Sequence, residues 1–283
     1  MKKYLFAILF VAISSVSYSL PILGTSLDMS LENYIYQSSH NSYINYDNRI
    51  TLYPMYYRES MNTVINKLIN KRNKEFYTID EKEVAKNKAI ITIDLNNSPL
   101  SNTEFYLVSG DDKQTTVVSF YYYKKLTTVI QLFELLNSFI NSKNIESIPS
   151  NDMLFEYSIT IPKRYRLLYI NGLSYSFDTE EQNGNPVLSI FYNPATHADL
   201  SLSDIAYMDI KDFDSIDERD FTGSNSTYQY WLGFFTYRSK VVEKLVVKTS
   251  MTKSILFSRQ IVDENLSIIE KELSEMANSI EKK

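Results

Sequence analysis

The chain has 283 residues, a formal net charge of −5, two histidines, six glycines and no cysteine. The missing cysteines exclude disulfides, thiolate metal sites, cysteine nucleophiles and a lipid-modified cysteine at a mature N-terminus. An acidic chain without a basic run is a poor match for nucleic acid or an anionic membrane surface. Its 44% hydrophobic content is ordinary for a globular protein that folds on its core alone.

Lys2 and Lys3 form a positive start, Leu5 to Ile13 an uninterrupted apolar run, and Ser17 and Ser19 place small residues before Leu20. Residues 1–19 therefore read as a cleavable secretory signal whose apolar run is too short to span a bilayer. An uncleaved anchor is the alternative, because Leu20, Ile22 and Leu23 extend the run; Ser14, Ser15, Ser17, Ser19 and Pro21 interrupt it. Cleavage removes two lysines and takes the charge from −5 to −7. The expected location is periplasmic or secreted, with no membrane span left after cleavage.

Residues 20–47 form a polar lead with one short helix expected near Leu27 to Tyr36. A first domain over residues 48–142 opens with a strand from Arg49 to Tyr53 that ends at Pro54. Met61, Val64, Ile65 and Leu68 then fall at helical spacing. Strands follow at Lys88 to Leu95, Glu104 to Ser109 and Thr115 to Tyr123, the last two joined by the turn cluster Gly110-Asp111-Asp112. Val129, Leu132, Phe133, Leu136 and Ile140 mark a strongly apolar closing helix. Residues 143–152 read as a linker, being polar, proline-containing and without period.

The second domain, residues 153–283, repeats the theme. A strand from Leu154 to Ile161 ends at Pro162, and Leu173, Tyr175 and Phe177 alternate with serines before Val187 to Tyr192. Ser201-x-x-Asp204 opens a helix. Strands are expected at Tyr228 to Tyr237, Val241 to Lys248 and Ser254 to Val262. Leu266, Ile269, Leu273, Met276, Ala277 and Ile280 line one face of a last helix. Leu136-Asn137-Ser138-Phe139 and Ala277-Asn278-Ser279-Ile280 match at the ends of the two closing helices, as do Ile50-Thr51-Leu52 with Pro54 and Ile159-Thr160-Ile161 with Pro162. These matches and the order of elements suggest a tandem duplication. The fold class expected is α+β, with two mainly antiparallel sheets, each flanked by helices.

The second half resembles the PsbP/DcrB-like group of α+β domains. The resemblance rests on Tyr157-Ser158-Ile159-Thr160-Ile161-Pro162, the following strands, the DLSLSDIAYM helix, three more strands and the helix ending Asn278-Ser279-Ile280. It covers Leu154 to Glu281, and more faintly Asn48 to Ser142. Where such families carry a tryptophan soon after the proline, this chain has Tyr165. The resemblance implies a sheet sandwiched by helices and an accessory, adaptor or envelope role; the group shares no catalytic motif.

No established catalytic motif is present, no cofactor is expected and no residue is assigned as catalytic. His197-Ala198-Asp199 pairs an imidazole with a carboxylate, but a surface histidine before a helix capped by Asp199 or Ser201 is the simpler reading; His40 lies in a polar stretch. Asp212, Asp214 and Asp217 are the one candidate set for a hard cation. They lack the glycine and closing glutamate of an EF-hand loop, and a solvated helix end is favoured. Asp111-Asp112 is first a turn signal. Tyr121, Tyr122 and Tyr123 place rings on both faces of one strand and are the candidate contacts for a partner or ligand. The 23 tyrosines fit amphipathic contact surfaces as well as an AT-rich coding bias. Together these observations suggest a non-enzymatic exported adaptor or binding module with a protein partner in the cell envelope. The alternatives are a glycan or small-molecule binder with a tyrosine-lined groove between the halves and, more remotely, an unrecognised hydrolase.

Overall fold

The computed structural model describes residues 20–21, 27–29, 31, 34–37, 40–72, 76–95, 102–123, 129–144, 153–154, 157–196, 198–207, 215–224, 228–237, 240–261 and 266–282. The expected signal, residues 1–19, lies outside them. The lead contributes β1 (Leu20–Pro21), β2 (Leu27–Met29), β3 (Ile35–Gln37) and β4 (Ser42–Asn45). Strand, not helix, is what its described residues form. Leu27 and Met29 are both fully buried with Asp28 between them half-exposed, a period of two,.

Next come β5 (Ile50–Tyr57), α1 (Met61–Asn70), β6 (Tyr77–Ala85), β7 (Lys88–Leu95), β8 (Asn102–Gly110), β9 (Thr115–Tyr123) and α2 (Val129–Asn141). Three short strands follow: β10 (Lys143–Asn144), β11 (Met153–Leu154) and β12 (Tyr157–Ser158). The second half is β13 (Arg166–Asn171), β14 (Ser174–Asp178), β15 (Leu188–Asn193), α3 (Leu202–Tyr207), β16 (Ser215–Ser224), β17 (Gln229–Tyr237), β18 (Lys240–Ser250), β19 (Lys253–Ile261), α4 (Leu266–Asn278) and β20 (Glu281–Lys282). The cap expected for α3 is formed reciprocally. The Ser201 hydroxyl accepts from the Asp204 N–H at 3.1 Å, and the Asp204 carboxylate accepts from the Ser201 N–H at 2.9 Å,.

The expected α+β class with two separate sheets is overturned. The chain is mostly β, and the strands of both halves form one antiparallel 14-stranded sheet. Its main path runs β16-β17-β18-β19-β15-β14-β13-β5-β9-β8-β7-β6, with β3 and β4 off that path. The halves meet where Tyr57, Tyr56 and Met55 of β5 pair with Tyr169, Ile170 and Asn171 of β13. β5 does not stop at Pro54. This proline sits after the last partner on β4, which Leu52 contacts, and before the first partner on β13, which Met55 contacts. A missing N–H at that change of neighbour removes no ladder bond on that side, so the strand continues to the seam.

Each half repeats one topology. In the first, β5 leads through α1 into the meander β6–β9, which returns to pair with β5; α2 closes it. In the second, β15 leads through α3 into the meander β16–β19, which returns to pair with β15; α4 closes it. β13 and β14 are the extra hairpin between them. The register rows carry across the sheet, as in Met55↔Asn171, Ser174↔Phe191 and Leu256↔Val246. Because directly opposed residues share a face, α1 over Met55 and Val117 and α3 over Val246 and Leu256 lie on one face. α2 over Val118 and Phe120, and α4 over Leu245 and Phe257, lie on the other. Reversed strand order with unchanged faces is the signature of a local twofold axis normal to the sheet, through the β13–β14 hairpin.

Both edge strands, β6 and β16, carry charged sequence and an interrupted register, at Glu83/Ala85 and Asp217/Phe221. Charge and bulges are how exposed edges resist pairing with other chains.

Lys88 anchors α2. It is 5% exposed, and its ammonium donates to the Phe139 and Ile140 carbonyls at 2.9 and 3.1 Å and to Ser142. The Phe139 and Ile140 carbonyls belong to the last helical turn, which lacks intrahelical donors and carries the negative end of the helix dipole; Phe139 also accepts from the Ser142 N–H at 3.1 Å and hydroxyl at 2.6 Å. Burial pulls the ammonium below its ordinary pKa. Lys88→Met is expected to cost about 1–3 kcal/mol, the penalty for buried polar groups left unsatisfied, read as a lower urea midpoint. An unchanged midpoint would show the cap to be idle.

Candidate functional site

Tyr121, Tyr122 and Tyr123 lie at the end of β9 remote from its turn, with backbones opposite Glu104, Thr103 and Asn102 of β8. Their side chains are outside the described residues. So are His197, Asp212 and Asp214, while the backbone of Asp217 lies in β16, opposite Phe234. Among the described residues no group of three or more His, Asp or Glu is close enough to hold a metal ion. His40 is exposed. Of these candidates, only His40 and the backbones of Tyr121, Tyr122, Tyr123 and Asp217 fall among the described residues.

Three other arrangements emerge. The first is ionic and buried under α4. Glu243 on β18 and Arg259 on β19 are 0% and 2% exposed, facing each other across the ladder. Arg259 donates to the Glu243 carboxylate at 3.0 and 2.6 Å, to the Tyr165 hydroxyl at 3.0 Å and to Glu272 of α4. Arg164 also grips Glu272, at 3.0 and 2.7 Å, and Tyr165 donates to Glu272 at 3.0 Å. Burial raises the Tyr165 pKa against the opposing pull of Arg259. Both carboxylates are engaged by guanidinium donors, whereas a general base must reach the proton it abstracts. The cluster ties α4 to the sheet, with Tyr165 at its centre.

The second is a cleft of about 500 Å³ where the N-terminus of α1 meets the β6–β7 and β8–β9 turns. Ser60 caps the helix, accepting from the Thr63 N–H at 3.3 Å, and Met61 N–H donates to the Asp111 carbonyl at 2.9 Å. Glu81, Glu83, Asp111 and Asp112 line the cleft over Met61, Ile65 and Ala89, and no tyrosine does. The Asp111 carboxylate accepts from the Lys113 and Gln114 N–H groups, which hold its pKa below the ordinary aspartate range. Its first role is in the turn, as the sequence suggests.

The third is the outer face of α2. Leu135 and Phe139 are buried against the sheet, with Leu132, Leu136 and Ile140 packed beside them. Ile130 and Phe133, one turn apart, are 70% and 60% exposed, with exposed Glu134 and Asn137 following. Sequence reasoning placed Phe133 in the core stripe and passed over Ile130. The signal was present, since apolar residues at 129, 130, 132, 133, 135, 136, 139 and 140 extend further round the helix than one buried stripe requires.

At the seam, Tyr57 and Tyr169 stack with centroids 6.2 Å apart. Tyr169 opens a register row of Ser176, Ser189 and Ser258, with the first two hydroxyls 3.2 Å apart. Burial, with Glu59 and Tyr169 adding to it, pushes the Tyr57 phenol up to about 12. Tyr34, Tyr36 and Tyr106 are likewise raised to about 12, burial being the largest cause in each. Groups whose folded pKa lies above the unfolded value stabilise the fold fully below about pH 10 and lose that contribution as pH rises through about 12. The urea midpoint should fall over that interval, and phenolate absorbance should rise in two phases. A single phase near pH 10 would contradict this.

No protein-family model matches the chain, and no curated protein does. Solved structures similar to it include the apo immunity protein TplEi of T6SS from Pseudomonas aeruginosa, at TM-score 0.29 and 8% identity over 85% of this chain and 93% of that one. A chain of the Tle4–Tli4 complex aligns at TM-score 0.32 and 9% identity over 88% and 97%. The di-domain ARO/CYC StfQ from the steffimycin biosynthetic pathway aligns at 0.14 and 8% over 74% and 83%. With TM-scores of 0.32 and below, no role passes from these proteins to this chain. Among the described residues no helix is long and apolar enough to cross a membrane.

Proposed function

We propose that the chain is an exported, non-enzymatic binding module that holds another protein of the cell envelope against the outer face of α2. The observation that carries this reading is the exposed pair Ile130 and Phe133, taken together with the repeat. Aligned through Leu136-Asn137-Ser138-Phe139 and Ala277-Asn278-Ser279-Ile280, these positions correspond to Lys271 and Ser274 of α4. Lys271 is exposed and Ser274 half-exposed. The same helix in the same topology thus closes its half without large apolar residues at these two places. Packing does not require Ile130 and Phe133, and adjoining exposed apolar side chains, unlike ones scattered singly, form the kind of patch that marks an interaction surface. Export is supported by the signal-like residues 1–19,. Leu20, the first residue after the expected cleavage point, pairs with Met29 and so takes part in the fold.

The test is capture from solubilised cell envelopes by the mature chain immobilised through its C-terminus, with chemical crosslinking to locate contacts. A captured protein crosslinked through α2 supports the reading; recovery of free monomer alone sinks it.

The Tyr57–Tyr169 stack beside the serine row favours a second reading, a glycan-binding strip at the seam. Aromatic rings offer stacking surfaces, and of the row the half-exposed Ser189 and Ser258 offer hydroxyls to sugars, while Ser176 is buried,. Tyr169→Ala should then lower retention on envelope polysaccharide about tenfold, the loss of roughly 1.4 kcal/mol. Equal retention of both forms removes this reading.

A further inference from the structure

We draw no further inference here: the strongest candidate, the acidic cleft between the N-terminus of α1 and the β6–β7 and β8–β9 turns, rests on exposed carboxylates beside a helix end, and no second observation in the structure points to a ligand for it.

Discussion

Exchanging Ile130→Lys and Phe133→Ser together is expected to weaken capture of the envelope partner by on the order of 100-fold while leaving the urea midpoint unchanged. Burying a large apolar side chain contributes about 1.5–3 kcal/mol when complete. These two expose 70% and 60% of their surface, so a partner that covers them gains about 1–2 kcal/mol from each. At about 1.4 kcal/mol per tenfold, their joint loss corresponds to that factor. The substitutions are those the second repeat already carries at these positions, which is why stability should not suffer. A parallel change on α4, Lys271→Ala, should leave capture untouched and serves as the control. If the double variant binds as well as the parent, the α2 face is not the contact surface. If it unfolds early, Ile130 and Phe133 are packing residues after all, and the comparison between the repeats has misled.

Arg259→Met is expected to destabilise the protein by about 3–5 kcal/mol, the usual cost of removing one partner from a buried charged pair. Glu243, 0% exposed, would lose two guanidinium hydrogen bonds, and Glu272 and Tyr165 one each. Adding Glu243→Gln to Arg259→Met removes the buried charge that the single change strands. The double variant should therefore recover part of the loss, since replacing both members of such a pair is much milder than removing one. Equilibrium unfolding in urea measures both. A single-variant loss below about 0.5 kcal/mol, the range of ordinary surface substitutions, would mean the cluster does not fasten α4 to the sheet.

The local elements were legible because one period governs each of them. Met61, Val64, Ile65 and Leu68 announce α1, and Ile91, Ile93 and Leu95 alternate in β7. Ser201 and Asp204 cap α3 as their spacing suggests. Partner choice was not legible. Nothing in Ile50 to Tyr57 says that its first residues pair with β4 and its last with β13, so one sheet could not be told from two. The edge strands were missed for a physical reason. Asp80, Glu81, Lys82 and Glu83 of β6 and Asp217 to Asp220 of β16 keep those edges from pairing elsewhere, and the same charges make a strand read as a loop. The repeated order of elements was visible in the sequence, although the corresponding opening strands are β5 and β15. The match between Ile50-Thr51-Leu52 and Ile159-Thr160-Ile161 does not coincide with them. Of the surfaces, the turn at Asp111 was foreseen, whereas the exposed side of α2, signalled by apolar residues spread beyond one stripe, was taken for part of the core.

The seam between β5 and β13 also sets a problem of timing. Tyr56 belongs to the first half in sequence, yet its ring is buried in the core of the second. Synthesis runs from the N-terminus, so Met55, Tyr56 and Tyr57 must wait until Arg166 to Asn171 has emerged, with residues 58–165 made in between. During that delay the first meander can close on its own local contacts, but it presents an unpaired strand end and an uncovered aromatic ring. Such transient edges invite association between incomplete chains. A chain that has emerged only as far as its first half is therefore open to such association, whether from the ribosome or across a membrane, and a chaperone that shields Tyr56 would protect it at that stage.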